Sequence, residues 1–198
     1  MKILKLLMKL LLFIVGVLVS LWLLMPWGKV GEYAVLSAER IASSKGFNTQ
    51  HSSVSGSWRG PNIIVNDFTS KMALGGGEFK TLSFTPSFPQ SMIQLAPVMS
   101  ISFTGGKLSF PGGIDADIGS GNVEVSYKNG ILFIRNLKNT GELSFDGSIA
   151  IDINSTKIDH ADLMIKSPES IEQSLDSMKS MLPLTQESNG QWRLRRDK

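Results

Sequence analysis

After Gly46 the hydrophobic period of this chain changes to two, and it stays there almost to the C-terminus. Met99-Ser-Ile-Ser-Phe-Thr alternates apolar and polar residues. So do Ile114-Asp-Ala-Asp-Ile, Val123-Glu-Val-Ser-Tyr-Lys and Ala161-Asp-Leu-Met-Ile-Lys. The longest such stretch, Leu143 to Ile153, has apolar side chains at 143, 145, 149, 151 and 153. Alternation of this kind belongs to antiparallel strands with one dry face and one wet face. Residues 62–68, 78–84, 107–110 and 131–135 are further candidates, and Gln191 to Arg195 alternates once more. Asn129-Gly130 between two such runs is a tight-hairpin signal. Gly75-Gly76-Gly77 reads as a turn, and Gly105-Gly106 and Gly112-Gly113 punctuate neighbouring strands.

Helices are few. Residues 89–95 form one candidate. Ser167-Pro168-Glu169 predicts another, with a Ser cap, Pro at the first helical position and an acid in the first turn. Its apolar face would be Ile171, Leu175, Met178 and Leu182. The fold class is therefore mainly β: one antiparallel β-domain with one or two short helices. With so little helix to cover it, the apolar face must close as a sandwich or half-barrel, or form a curved sheet with an open trough. An apolar trough would suit an acyl chain.

The N-terminus constrains location. Lys2, Lys5 and Lys9 precede an uncharged apolar run from Leu10 to Trp27. A hydrocarbon core of ~30 Å needs about 20 apolar residues in a helix. Leu10, Leu11, Leu12 and Phe13 open the run. Trp22 and Trp27 lie in its second half, where amphipathic rings favour the headgroup zone. The lysines on one side place residues 1–9 in the cytoplasm and export the chain beyond the run. The run is long and its last residues, Leu21-Trp-Leu-Leu-Met-Pro-Trp, are bulky, unlike a signal-peptidase site, so the segment reads as a retained single-pass anchor. The sequence thus predicts a cytoplasmic N-terminus (1–9), a transmembrane helix (10–27), a helical stalk (28–46) and a β-domain (47–198). Within the stalk, Val30, Ala34, Ala38, Ile41 and Ala42 recur at helical spacing over Gly31 to Lys45.

The formal charge of +3 comes from Lys2, Lys5 and Lys9. Without them the 20 basic residues fall to 17, equal to the 17 acidic ones. Four of the remaining bases are Arg193, Arg195, Arg196 and Lys198, so the domain carries no basic stripe and nucleic acid is not an expected partner. The chain has no cysteine, which excludes disulfides and thiolate metal sites.

No constellation for catalysis is present. His160 stands in Asp159-His160-Ala161-Asp162, but no second His or Cys cluster would complete a coordination shell. The two aspartates read as flanking a turn. His51 has polar neighbours only. Asp115 and Asp117 share a strand face opposite Ile114, Ala116 and Ile118, which is the solvated one. Gly75-Gly76-Gly77 lacks the Lys and Ser/Thr of a phosphate loop. No cofactor is expected, and the chain reads as no enzyme. The candidates for partner contact are Trp58 and Arg59, in a glycine-flanked loop, and the basic Arg193, Arg195 and Arg196.

The order of parts is similar to a known family. An apolar segment ends at Pro26-Trp27. A short helix ends in Lys45-Gly46-Phe47, then come Val54-Ser-Gly-Ser-Trp-Arg-Gly and Ile63-Ile-Val-Asn-Asp-Phe. Near the end stand Leu182-Pro-Leu and Gly190-Gln-Trp-Arg-Leu. This resembles the type II secretion system protein N family, and also the N-terminal part of AsmA-like proteins. The first resemblance implies one inner-membrane helix, a periplasmic β-domain in a Gram-negative bacterium, no catalytic residues and secretion-system proteins as partners. The second implies lipid handling. Lipopolysaccharide-export bridge proteins share the plan of one anchor and one β-domain.

Overall fold

The structure is a computed structural model, and it describes residues 9, 12–17, 20, 24–44, 46–57, 61–72, 75–110, 113–155, 157–179 and 182–197. Helix α1 (Trp27–Ser44) leads into β1 (Asn48–Gln50), β2 (Ser53–Gly56), β3 (Ile63–Met72) and β4 (Gly75–Pro86). Helix α2 (Phe88–Gln94) connects β4 to β5 (Val98–Phe110). Then come β6 (Ile114–Lys128), β7 (Ile131–Asn139), β8 (Ser144–Asp152) and β9 (Lys157–Lys166). Helix α3 (Glu169–Met178) precedes the closing hairpin of β10 (Leu184–Ser188) and β11 (Gln191–Arg196).

All eleven strands form one antiparallel sheet in the order β1-β3-β4-β5-β6-β7-β8-β9-β11-β10. Strand β2 continues the β1 edge, pairing with the first half of β3. The sheet does not close, so β1 and β2 form one edge and β10 the other.

The expected strands are present but longer. Met99–Thr104 and Lys107–Phe110 are one strand, and so are Ile114–Ile118 and Val123–Lys128. The glycines between them bend the strands rather than end them. Gly105 (φ 59°) and Gly119 (φ 61°) lie next to register shifts in the β5–β6 ladder, and Asp67 in β3 has φ 49°. Each is a bulge-like irregularity that swaps the inward parity. Thus Val65 gives way to Phe68 in β3 and Phe103 to Leu108 in β5. Lys80 of β4 abuts Gly105, so the irregularity continues from strand to strand as a bend across the sheet. Gly75-Gly76-Gly77 is not a turn either. It opens β4 and pairs with both β3 and β5, where a Cβ on Gly76 would crowd the Ser70 carbonyl. The Asn129-Gly130 hairpin is as expected, with both residues at positive φ.

The apolar face carries one core, from Val65 on β3 through Phe103, Ile118 and Ile165 to Trp192 and Leu194 on β11. Phe68, Phe79 and Phe103 run across three adjacent strands with centroid spacings of 6.5 and 5.5 Å. Helix α1 lies over the β1–β4 side, contributing Val35. Helix α3 leaves β9 and reaches β6, burying Ile171 and Leu175. Ser167 does not cap α3. Pro168 is the N-cap residue, and the Ser167 hydroxyl is buried without a partner. The fixed φ of Pro168, near its preferred value, starts the helix without a side-chain cap.

Among the described residues no helix is long and apolar enough to cross a membrane. The transmembrane helix expected over 10–27 is therefore not a feature of the described structure, although Leu10, Leu11 and Trp22, with Lys2 and Lys5, lie outside the described residues. Leu12 and Phe13 are helical and exposed. The run does not continue to Trp27: the chain bends at Met25, and the Pro26 carbonyl accepts the amides of Lys29 and Val30 to start α1. Trp27 is buried in the fold.

Candidate interaction surfaces

Strand β11 alternates as its sequence predicts: Trp192 and Leu194 point into the core, while Gln191 and Arg195 are exposed. Arg193 is half-buried on the wet face. Its Nε and Nη2 donate to Asp162 Oδ1 at 3.1 and 3.0 Å, and its Nη1 reaches Glu187 Oε1 at 3.4 Å. Asp162, with Glu187 behind it, raises the guanidinium pKa further above its ordinary value. Arg193 therefore ties β9, β11 and β10 together. Arg195 meets Asp197 at 3.4 Å, and Arg196 is exposed beside it. Trp58 and Arg59 lie outside the described residues.

Strand β10 is the outer strand here. Its first residue, Leu184, anchors it in the core, and Thr185 to Ser188 are exposed. Among the described residues its far side faces no other strand. Such an edge is a template for a further strand, and a single register shift between Gln186 and Ser188 is the device that interrupts it. Sequence periodicity misses β10, β1 and β2. Leu184-Thr-Gln-Glu-Ser and Asn48-Thr-Gln are polar edge segments with almost no apolar alternation, so there is no pattern to find.

At the opposite edge α1 covers the strands. His51 Nδ1 and Glu39 Oε1 meet at 2.7 Å, with each side chain about four-fifths buried. Beneath the helix lies an apolar space of about 170 Å³ between Val35, Ala38 and Ala42 above and Val65, Phe68 and Leu82 below. Ligand sites usually run from about 300 Å³ upward. This space is a packing defect between helix and sheet in size, well short of a trough for an acyl chain.

A larger hollow of about 610 Å³ is lined by Phe133, Arg135, Gly147, Ala150 and His160, of which Ala150 is buried and His160 exposed. The Arg135 guanidinium stacks 4.8 Å from the Phe133 ring centroid. His160 sits within β9 and not in a turn between Asp159 and Asp162, because β9 begins at Lys157; Asp159 is the extra residue at a register shift between Ile158 and His160. No group of His, Asp and Glu able to hold a metal occurs among the described residues. Asp115 and Asp117 are on the wet face as expected; they accept from the Ser109 hydroxyl and the Gly119 amide.

Among the described residues the two sheet edges thus differ, one open and one covered. A family described as type II secretion system protein GspN-like, Synergistales, matches residues 4–196. The chain belongs to this GspN-like family. Neither the curated proteins nor the solved structures gave a match. Membership makes the chain a type II secretion system component associated with the cell envelope, with other secretion-system proteins as its partners. The GspN-like match starts at residue 4, so it takes in the apolar N-terminal run as well as the sheet.

Proposed function

We propose that this chain is a non-enzymatic accessory of the type II secretion machine, held at the bacterial inner membrane by the apolar run that begins at Leu10 and ends before the bend at Met25, with residues 47–198 in the periplasm. It binds another component of the machine along β10. The observation that carries this reading is the asymmetry of the sheet: α1 lies over one edge, while Thr185 to Ser188 stand exposed at the other. Strand addition uses backbone groups and needs no special side chains, in keeping with a family member that carries no catalytic motif. Two features support the anchor. The lysine-flanked run lies within the family match, and its charge asymmetry orients it with the β-domain outside the cytoplasm.

A photo-crosslinking residue at Gln186 in the full chain, expressed in its own envelope, tests the edge. Adducts with secretion-system proteins are expected at Gln186 and not at Asp115, which is on a wet strand face. Equal yields at both positions, or none at Gln186, would contradict it.

A further inference from the structure

Helix α2 carries three large apolar side chains, Phe88, Met92 and Ile93, and buries none of them. Its seven residues include no buried one. Phe88 is 54% exposed, Met92 75%, Ile93 81% and the following Leu95 83%. Leu95 also sits at φ 50°, ψ 40°, the left-handed C-terminal position where Gly or Asn is ordinarily found. A leucine there is both strained and in water, so folding alone does not account for it. Clustered exposed apolar residues mark a contact surface.

The register places this surface. Gly28 packs on Gly56 and Gly31 on Ile63, so α1 starts over the β2–β3 turn. Ile63 pairs with Phe84, two residues before β4 ends and the chain enters α2. The start of α1 and helix α2 are therefore at the same end of the sheet. The apolar run arrives there, with Leu24 81% exposed just before α1. Tyr127 and Ile153, beside the β6–β7 and β8–β9 turns, are half-exposed at that end too. Behind the apolar tip stand two cations: Lys128 Nζ donates to the Gln94 carbonyl at 3.0 Å, and Arg135 Nη1 to Gln94 Oε1 at 2.8 Å. Glu124 is the acid at this junction, accepting from Gln94 Nε2 at 3.4 Å.

From this juxtaposition we infer that α2 is a second membrane contact. Phe88, Met92, Ile93 and Leu95 enter the headgroup–acyl boundary of the bilayer that holds the apolar run before Met25, with Lys128 and Arg135 at headgroup level. The inference rests on the anchoring reading and goes beyond it: two attachments fix the sheet's tilt, so that its strands lead away from the membrane and β10 is presented in a set orientation.

The test uses the full chain in phosphatidylethanolamine–phosphatidylglycerol vesicles. The sequence has no cysteine, so single spin labels can be placed at Ile93→Cys and Asp115→Cys without background. Flotation is measured first, then label depth by competing oxygen and nickel-chelate relaxation. The chain is expected to float, with the Ile93 label roughly 5 Å or more inside the boundary and the Asp115 label in water. If the chain floats and the Ile93 label is in water, or is shielded from both relaxants as in a protein contact, the second contact is refuted and the anchor stands. If the chain does not float, both readings fail.

Discussion

Gly28 at the start of α1 and Gly56 at the end of β2 touch backbone to backbone: a Cβ on Gly56 would overlap the Gly28 nitrogen and the Trp27 carbonyl carbon. This contact docks the helix that succeeds the apolar run directly on the edge of the sheet. The Gly56→Ala variant should lose about 1–3 kcal/mol, the usual cost of overpacking, read as a lower Tm of the detergent-solubilised protein. Gly16→Ala, where an added Cβ meets nothing within 4 Å, should leave Tm unchanged.

The same helix is held further along by Glu39 and His51. Both side chains are mostly buried, so the pair should couple more strongly than a surface ion pair. A double-mutant cycle of Glu39→Gln and His51→Ala should give a coupling energy of about 1 kcal/mol. Additive losses would mean that the two residues act independently.

Asn139 is the buried polar residue on which the β7–β8 connection turns. Its Nδ2 donates to the carbonyls of Ile118 and Leu143, both at 2.7 Å, and its Oδ1 accepts the Phe145 amide at 2.6 Å. Asn139→Ala strands three backbone groups, each costing about 1–3 kcal/mol when unpaired and buried. Denaturant unfolding should place this variant well below substitutions at exposed polar positions such as Ser100→Ala.

Asp152 closes the β8–β9 turn by accepting the amides of Asn154 and Ser155 at 2.8 and 3.3 Å. The Asn154 amide, then the Ser155 hydroxyl and amide, hold its pKa below the ordinary 3.8. A depressed carboxyl stabilises the fold above its unfolded pKa, and that contribution disappears as pH falls through the lower folded value. An NMR titration should find its midpoint below that of an ordinary aspartate. Asp152→Asn should remove its part of the acid-induced loss of stability below about pH 4.

How much of the fold is legible in the sequence depends on the strength of each local signal. The central strands announce themselves through alternation, as Phe145, Ile149 and Ile151 do in β8. The Asn129-Gly130 turn does so through its backbone chemistry. The long strands read as broken because Gly105 and Gly119 look like punctuation. Whether a glycine ends a strand or bends it depends on the partner strand, which no local window contains. The polar edges β1, β2 and β10 are silent for the same reason that they are edges: they bury too little to need a pattern. Arg193 is legible as a charge but not as a tie, since Asp162 and Glu187 become its partners only through the register of three strands. The exposure of α2 is equally hidden, because Phe88, Met92 and Ile93 read the same whether they are covered or bare.

The central claim is that this anchored sheet works by binding the secretion machine. Affinity purification of the full chain from gently solubilised native membranes, beside an unrelated anchored β-domain, tests it most directly. Other secretion-system components enriched over the control are the predicted result. Recovery of those components at the control level would contradict the account.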